Sequence, residues 1–309
     1  MAKQRLIADQ ARAMDFEACC RMYIEAHAAG WKNAKHAQQW GNTLSAYAYP
    51  VIGRMRVEEI ELPHILKVLE PIWRTKTETA SRLRGRIEQV LSWATVRGYR
   101  TGLNPARWRG HLDAVLPAPA KVARTESFSA VPINDAPAVY ARVRATEGMG
   151  AQALAFCILT ATRSGEVRGA RWAELDLDAA LWTIPAERMK AGREHRVPLS
   201  TSAIELLKAV PRLTDSDLVF FSPRGKELSD ATLGAVLKRL GVDATVHGFR
   251  STFRDWAAEC TSHSHEVAEM ALAHTIKNKA EAAYRRGDLL EKRVALMEDW
   301  ARYLGAAHG

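Results

Sequence analysis

Apolar residues recur at helical spacing through the first third of the chain. Two stripes step by three or four residues, which places their side chains on one face of a helix. Their members are Phe16, Cys19, Cys20, Tyr23 and Ile24, and then Leu83, Ile87, Val90, Leu91 and Ala94. Pro63 suits the first turn of a further short helix, and Pro105 ends the last helical stretch. Residues 15–110 are therefore predicted to form several amphipathic helices.

The pattern changes in the second half of the chain, where helices and short strands alternate. Two helices and two strands are predicted in order, at residues 134–146, 151–160, 181–185 and 195–199. The remainder is mostly helical, and in it Ser229 or Asp230 is expected to cap a helix that Gly241 ends. The predicted fold class is thus mainly α, with a small antiparallel β-sheet near Lys190.

A proline-alternating segment separates these halves. Residues 116–128 are rich in proline and small side chains, which cannot build a core, so they are interpreted as a linker. The predicted organisation is a helical domain over 1–116, a linker over 117–130 and an α-rich domain over 131–309. A chain of 309 residues is long enough for two such cores.

Charge narrows the class of partner. The net charge is +9 and the sequence pI about 9.5, which favours a polyanion such as nucleic acid, although a merely soluble basic protein has the same balance. Residues 1–117 hold 18 Lys and Arg against 11 Asp and Glu, a difference of +7, and the remainder contributes 26 against 24, or +2. The first domain therefore carries most of the attraction for phosphate.

Neither a signal peptide nor an apolar run of about 18 residues is present, so a cytoplasmic location is expected. The four cysteines have no metal-ligand spacing and are expected to be buried, reduced thiols. They are Cys19, Cys20, Cys157 and Cys260.

The helix predicted near residues 77–97 carries basic side chains opposite its apolar stripe. They are Arg82, Arg86 and Arg97, with Trp93 between them. A helix that lies against a duplex needs such a face, so these arginines are candidate DNA contacts. A solvated charged face is the alternative.

Candidate chemistry lies in five short segments of the second domain. They contain Arg163 with Glu166, Lys190 in a hairpin turn, His247 and Arg250 three residues apart, His274 at the end of an apolar run, and Tyr284 ten residues later. Two other motifs fail on spacing. His265-Glu266 lacks the second histidine of a zinc protease, and the Gly-Lys pair at Gly225 lacks the spacing of a P-loop.

In this order and spacing the segments resemble the tyrosine site-specific recombinases, the phage integrase family. Residues 284–304 resemble integrases of prophages and genomic islands in particular. Any one segment occurs by chance, whereas five in register are specific. The resemblance implies a core-type DNA-binding domain over 1–116 and a catalytic domain over 131–309.

The resemblance also implies a role for each matching position. These are a first catalytic arginine, Arg163, its supporting acid, Glu166, the hairpin lysine, Lys190, the pair His247 and Arg250, a late histidine, His274, and the nucleophile, Tyr284. The chain departs from the family at Ala273, where glycine is usual, and this change is expected to be tolerated. It also lacks the N-terminal arm-binding domain of related integrases, which predicts either a truncated form or one that acts without arm sites.

Elementary chemistry supports these roles. Negative charge grows on phosphate oxygens as a nucleophile attacks, and each fixed donor aimed there contributes roughly 3 to 4 kcal/mol. Arg163 and Arg250 offer permanent, bidentate charge, and His274 can add a hydrogen bond. Arg168, Arg171 and Arg254 lie near the motifs and are interpreted as phosphate-binding or structural charges.

A tyrosine needs help as a nucleophile, because with a pKa of about 10 it is roughly 0.1% ionised at neutral pH. His247 is the candidate base for Tyr284, and Lys190 is the candidate acid for the leaving 5′ oxygen. Since a 3′-phosphotyrosine keeps the energy of the bond, neither ATP nor a metal is required, and no cofactor is expected.

The expected partner is double-stranded DNA, with a tetramer at synapsis and accessory DNA-bending or excision factors. Two alternatives stay open from the sequence. One is a catalytically idle, truncated integrase that only binds DNA, and the other is a type IB-like topoisomerase, which needs only a monomer.

The C-terminal stretch has its own ambiguity. Five apolar residues lie close to one helical face, and they are Leu289, Val294, Met297, Trp300 and Leu304. Such a helix packs either on its own catalytic domain or on a neighbouring protomer, where it could couple active sites in a closed ring.

Overall fold

The computed structural model describes residues 14–31, 34–123, 129–274 and 287–306. Contacts within the chain divide it into two compact units, Met1–Thr125 and Glu126–Gly309. Among the described residues, no helix is long and apolar enough to cross a membrane. Tyr284 lies outside the described residues.

The N-terminal unit is helical. Its principal helices are α1 (Phe16–Ala28), α2 (Ala34–Thr43), α3 (Tyr49–Ile52), α4 (Leu62–Trp73) and α5 (Thr77–Val96). The two apolar stripes predicted from the sequence are the buried faces of α1 and α5, except that Ile24 is only partly buried. Asp15 caps α1 by accepting a hydrogen bond from the backbone N–H of Ala18 at 2.7 Å, and Pro63 lies in the first turn of α4.

Part of the segment predicted as a linker packs against the N-terminal unit. Leu116 is buried in its core, and a short helix, α6 (Pro119–Val122), follows. The indole Nε1 of Trp73 donates to the carbonyl of Pro117 at 3.0 Å. Because a buried indole N–H needs an acceptor, this contact holds the proline-rich segment to α4.

The second unit surrounds an apolar helix. Its helices are α7 (Ala136–Arg144), α8 (Met149–Thr160), α9 (Ser164–Arg168), α10 (Thr201–Lys208), α11 (Thr232–Arg239), α12 (Gly248–Glu259), α13 (His265–Ala271) and α14 (Leu290–Gly305). Nearly every side chain of α8 is buried. A helix that is apolar on all sides lies at the centre of a core, and contacts from α7, α10, α11 and α14 surround it.

A three-stranded antiparallel sheet lies in the second unit, with β1 (Leu175–Asp176), β2 (Leu181–Ile184) and β3 (His195–Pro198) in sequence order. Trp182 of β2 pairs with Val197 of β3, and both are buried. The sequence predicted the last two strands and placed a turn at β1. The sequence does not predict β1, because a strand of two residues is too short to show an alternation of polar and apolar positions.

Helix α14 packs on its own unit, as one of the two alternatives drawn from the sequence predicts. Its buried residues are Arg293, Leu296, Met297, Trp300, Ala301 and Leu304. The indole of Trp300 donates to the carbonyl of Ile158 in α8 at 2.9 Å. Val294, assigned to the apolar face from the sequence, is 51% exposed. Removing this helix would therefore open the core rather than release a tail.

Two smaller expectations were wrong. Neither Ser229 nor Asp230 caps α11, since the residue before the helix is Ala231 and no side chain caps it. Asp230 pairs with Arg168 instead. Cys260 is exposed. The other three cysteines are buried as expected, and burial raises the pKa of Cys157 to about 12.

Candidate active site

Arg163 is held by Glu166 at the start of α9. The carboxylate of Glu166 accepts from the backbone N–H of Arg163 and from its Nη1, each at 2.8 Å. Glu166 is 5% exposed and the Arg163 side chain 25% exposed. A buried carboxylate needs paired charge. Glu166 therefore fixes one edge of the guanidinium while part of the side chain remains accessible.

Arg250 is the buried arginine of the site. It lies on α12 with 5% exposure, and its Nη2 donates to the carbonyl of Leu272 at 2.6 Å while Nη1 donates to that of Ala161. Burial and the charge of Arg163 lower the pKa of Arg250 to about 10, against the opposing charge of Glu166. It therefore stays cationic at neutral pH, beside a second cation.

His247 lies at the N-terminus of α12, three residues before Arg250. Burial lowers the pKa of His247, and the charges of Arg250, Arg163 and Lys190 lower it further. Because Coulomb interactions of this kind act over short distances, these three predicted site residues lie close enough to His247 to act on its charge. A lowered pKa keeps the imidazole neutral at pH 7, in the form that accepts a proton.

Gly248 allows this arrangement. A Cβ built on it would lie 2.1 Å from the carbonyl oxygen of Ser129, a distance that no side chain tolerates. The same oxygen accepts from the backbone N–H of Thr245 at 2.9 Å. The segment at Ser129 thus packs directly against the start of α12 and fixes the position of His247.

Lys190 is exposed in the turn between β2 and β3. Its turn continues through Gly192, whose φ of 65° lies in the left-handed region that favours glycine. The strand that follows is tied to α13, since the Nε2 of His195 donates to the carbonyl of Ala271 at 3.3 Å. Burial, followed by the charge of Arg293, lowers the pKa of His195 to about 4, so His195 is a neutral contact between the hairpin and the site.

His274 follows α13 and faces Arg250. Its Nε2 lies 3.3 Å from Nη2 of Arg250, and its Nδ1 lies 2.9 Å from Oε2 of Glu269. The other oxygen of Glu269 lies 2.9 Å from Nε of Arg254. The sequence did not single out Glu269, because a glutamate on a short helix carries no signal of its partner. Arg254, interpreted as a phosphate-binding or structural charge, is paired here with a carboxylate.

The departure at Ala273 has a structural explanation. Its φ is 48°, a left-handed conformation that glycine adopts without cost and that strains other residues. The carbonyl of Ala273 lies 3.5 Å from Nη2 of Arg163. The turn thus directs a backbone carbonyl toward Arg163. Glycine, which is usual at this position in the family, is the residue that this backbone conformation favours.

Ala273→Gly is expected to raise the free energy of unfolding by about 0.5–1 kcal/mol. Relief of left-handed strain is worth about 1–2 kcal/mol, and the more flexible unfolded chain offsets about 0.4–1 kcal/mol of it. Urea denaturation measures the change. Ala271→Gly, within α13 and buried, is the matched control and should lower stability. A loss of stability in Ala273→Gly would contradict the account of the strain.

The described chain resumes just after Tyr284 in a network of charges. Asp288 accepts from Nε and Nη2 of Arg196 in β3, at 2.9 and 2.8 Å, and from Nη2 of Arg293 at 2.7 Å. Arg293 is 1% exposed and also donates to the carbonyl of Arg196. The chain four residues beyond Tyr284 is therefore anchored to the hairpin that carries Lys190.

Arg168 is structural, because Glu227, Asp230 and the carbonyl of Leu228 hold it. Arg171 is exposed and lies outside these contacts.

The predicted DNA-binding arginines lie on α5 of the N-terminal unit or, for Arg97, directly after it. Arg82 is exposed and pairs with Glu78 at 2.7 Å. Arg97 is exposed, with its guanidinium 5.0 Å from the ring of Trp93. Arg86 is more enclosed than the other two, since its Nη1 donates to the carbonyl of Gln39 at 2.8 Å and its guanidinium lies 5.5 Å from the Trp40 ring.

The N-terminal unit is helical and basic, and the second unit gathers cationic side chains near a neutral histidine. These features are those of a phosphoryl-transfer enzyme that acts on a polyanion. Comparison with known proteins identifies the family. Residues 16–111 match the phage integrase central domain, and residues 133–289 match the phage integrase family. The chain belongs to the phage integrase family and is a tyrosine recombinase, an enzyme of site-specific DNA recombination.

Relatives of known name agree with this assignment. Prophage integrase IntZ of Escherichia coli K12 is 32% identical, over 97% of this chain and 73% of its own length. The integrase of Enterobacteria phage P4 is 30% identical, over 96% of this chain and 71% of its own.

Solved structures share the fold at low identity. A lambda integrase (75–356) dimer bound to a COC′ core site has a TM-score of 0.66 at 16% identity, covering 85% of this chain and 96% of that one. The Tn1549 transposon integrase in complex with transposon right end DNA has a TM-score of 0.62 at 12% identity, covering 93% and 100%.

Proposed function

We propose that this recombinase integrates or excises a mobile element, such as a prophage, by strand exchange through a covalent 3′-phosphotyrosine at Tyr284. The observation that carries the proposal is the meeting of Arg163, Arg250 and His274 at the turn of residues 272–274, with a neutral His247 three residues before Arg250. The relatives named as prophage and phage integrases support the kind of element.

The two arginines bind the scissile phosphate. Burial and then the charge of Arg163 lower the pKa of Arg250, so an anion between the two arginines relieves a like-charge repulsion. Glu166 and the carbonyls of Ala161 and Leu272 orient the two guanidiniums before DNA arrives. Donors fixed in this way stabilise the charge that develops on the phosphate oxygens without further rearrangement.

His247 and Lys190 move the protons. As the phenol oxygen of Tyr284 bonds to phosphorus, its proton passes to His247, which burial and the neighbouring cations keep neutral. The bond from phosphorus to the 5′ oxygen breaks, and Lys190 protonates that oxygen. Rejoining reverses each step when a 5′ hydroxyl of another strand attacks the phosphotyrosine. No cofactor takes part in these steps.

Recombination joins two sites, so the proposal includes assembly. A lambda integrase tetramer bound to a Holliday junction has a TM-score of 0.68 to this chain at 15% identity. By analogy we infer a tetramer on DNA at synapsis, helped by accessory DNA-bending or excision factors.

The proposal is tested with a duplex that carries the junction of the host element. Incubation of the full chain with this DNA should yield a covalent protein–DNA adduct on a denaturing gel and recombined products with a second site. Binding without adduct would reduce the protein to a DNA-binding role. Relaxation of supercoiled DNA of any sequence, without joining of sites, would indicate a topoisomerase.

DNA contact by α5 makes a separate prediction. Arg82→Gln and Arg97→Gln should each weaken binding to all sequences about equally and reduce the log–log salt slope by about 0.9, the effect of one lost phosphate contact. Arg86 is a poorer test, because it also supports α2. Fluorescence anisotropy with a random duplex over a range of salt concentrations measures the slope.

Arg302→Gln is the matched control for this experiment. Arg302 is an exposed arginine in a local ion pair with Asp299, as Arg82 is with Glu78. The log–log salt slope of Arg302→Gln should equal that of the unmodified chain. An unchanged slope in both α5 variants would mean that this face is only solvated.

A further inference from the structure

The two ring nitrogens of His274 face partners of opposite hydrogen-bonding character. Oε2 of Glu269 lies 2.9 Å from Nδ1, and Nη2 of Arg250 lies 3.3 Å from Nε2. An ionised carboxylate only accepts hydrogen bonds, and a guanidinium only donates them. The proton of the neutral imidazole is therefore on Nδ1, and Nε2 presents its lone pair to Arg250.

Glu269 is ionised, as this reasoning requires. Burial raises the pKa of its carboxyl, but the hydrogen bond from His274, together with the charges of Arg254 and His265, brings it below its usual range. Arg254 lies 2.9 Å away on α12. One carboxylate oxygen of Glu269 thus lies beside Arg254 and the other beside the imidazole of His274.

This tautomer conflicts with a bound phosphate. A phosphate oxygen is an acceptor, and so is the lone pair on Nε2 of His274, so the two repel each other. His274 can donate to phosphate only with a proton on Nε2 as well. That form is an imidazolium, with Glu269 on one side and the phosphate on the other.

We propose that His274 takes up one proton at Nε2 when a phosphate enters the site, and that Glu269 is the positioning residue that holds Nδ1–H and stabilises the cation. This inference rests on the proposed function in placing the phosphate beside Arg250. One N–H bond forms with a proton from solvent, and it breaks again when the phosphate leaves. The Nη2 of Arg250, released from Nε2, then also donates to the phosphate.

The surrounding charges explain why the proton arrives only with the ligand. Arg250 and His247 face His274 from α12, and Arg163 lies beside the carbonyl of the preceding residue. On the hairpin side His195 is neutral because burial lowers its pKa to about 4. The positive charges of the two arginines disfavour an imidazolium at His274 and offset the favourable effect of Glu269. A phosphate anion between the arginines compensates their charge, so the imidazolium form of His274 becomes favoured.

Nitrogen-15 NMR of the histidine rings tests the proposal on the full chain. Without ligand, His274 should be the Nδ1–H tautomer. Sulfate is the probe for the phosphate site, since it keeps its charge across the titration, with chloride at equal ionic strength as reference. The pKa of His274 should rise by about one unit or more in sulfate, the size of shift that an added opposite charge produces.

Either of two results would overturn the inference. One is an Nε2–H tautomer in the free protein. The other is a His274 pKa that sulfate leaves unchanged, including the case in which sulfate does not bind.

Variants separate positioning from structural support. Glu269→Gln should remove the preference for the Nδ1–H tautomer and most of the sulfate-induced rise in the pKa of His274. Glu259→Gln, the same change at an exposed position of α12, should leave both as in the unmodified chain. A Glu269→Gln variant that keeps both would contradict the role of Glu269. If it fails to fold, the measurements on the unmodified chain decide.

The adduct experiment is independent of these measurements. Adduct formation with an unchanged His274 pKa would reject the protonation and leave the proposed function standing. A sulfate-dependent rise without any adduct would reject the function and leave the histidine–carboxylate pair as an anion-responsive site.

Discussion

Tyr284→Phe is expected to bind duplex DNA with the affinity of the unmodified chain and to form no covalent adduct. The substitution keeps the aromatic ring and removes only the phenol oxygen, the one atom that bonds to phosphorus in the proposed reaction. Loss of the nucleophile abolishes adduct formation rather than slowing it. If water attacked the phosphate instead, the DNA would not become linked to the protein. A denaturing gel of the reaction with junction DNA measures the adduct, and a native gel measures binding.

Tyr303→Phe provides the matched control. Tyr303 belongs to the same unit, and its hydroxyl donates to the carbonyl of Ile133 at 3.0 Å. Losing that hydrogen bond should cost about 0.5–1.5 kcal/mol of stability and leave the adduct in place. An adduct formed by Tyr284→Phe would show that another residue is the nucleophile.

Arg163→Lys is expected to lower the rate of DNA cleavage by roughly 10²–10³-fold, as when one fixed donor is lost from a site that stabilises developing charge. Lysine keeps the positive charge but has a single point of contact. It cannot bond Glu166 and a phosphate oxygen at once in the planar arrangement of a guanidinium. Single-turnover cleavage, with enzyme in excess over DNA, measures the rate without product release.

The control for this variant is Arg302→Lys, the same change at an exposed residue of α14 in the same unit. It should cleave at the unmodified rate. Thermal melting establishes that both variants are folded. If folded Arg163→Lys cleaves within about threefold of the unmodified chain, a difference of under about 1 kcal/mol in the barrier, Arg163 acts only in structure.

Much of the candidate site could be predicted from sequence, because its motifs are local. Arg163 and Glu166 lie three residues apart, as do His247 and Arg250, and each short spacing places a pair on one turn of helix. Their recognition as one site came from order and spacing matched to a family. Glu269 could not be found in this way, because its function depends on which ring nitrogen of His274 it meets.

The amphipathic helices of both units, the β2–β3 hairpin and the uneven basic charge follow from the sequence by itself. Helix and strand periodicity record which side chains face a core, whatever that core is. The departure at Ala273 was also visible there, but its cause, a left-handed backbone, was not.

Only the tertiary structure decided which surface covers each apolar or charged face. The apolar face of α14 would be the same whether its own unit or a neighbouring protomer buried it, and in the structure it is buried in its own unit. The contact of Arg163 with Ala273 joins residues 110 positions apart, and the tautomer of His274 depends on Arg250, 24 positions away. Such partners are set by long-range packing, which no local pattern of hydrophobic and polar residues encodes.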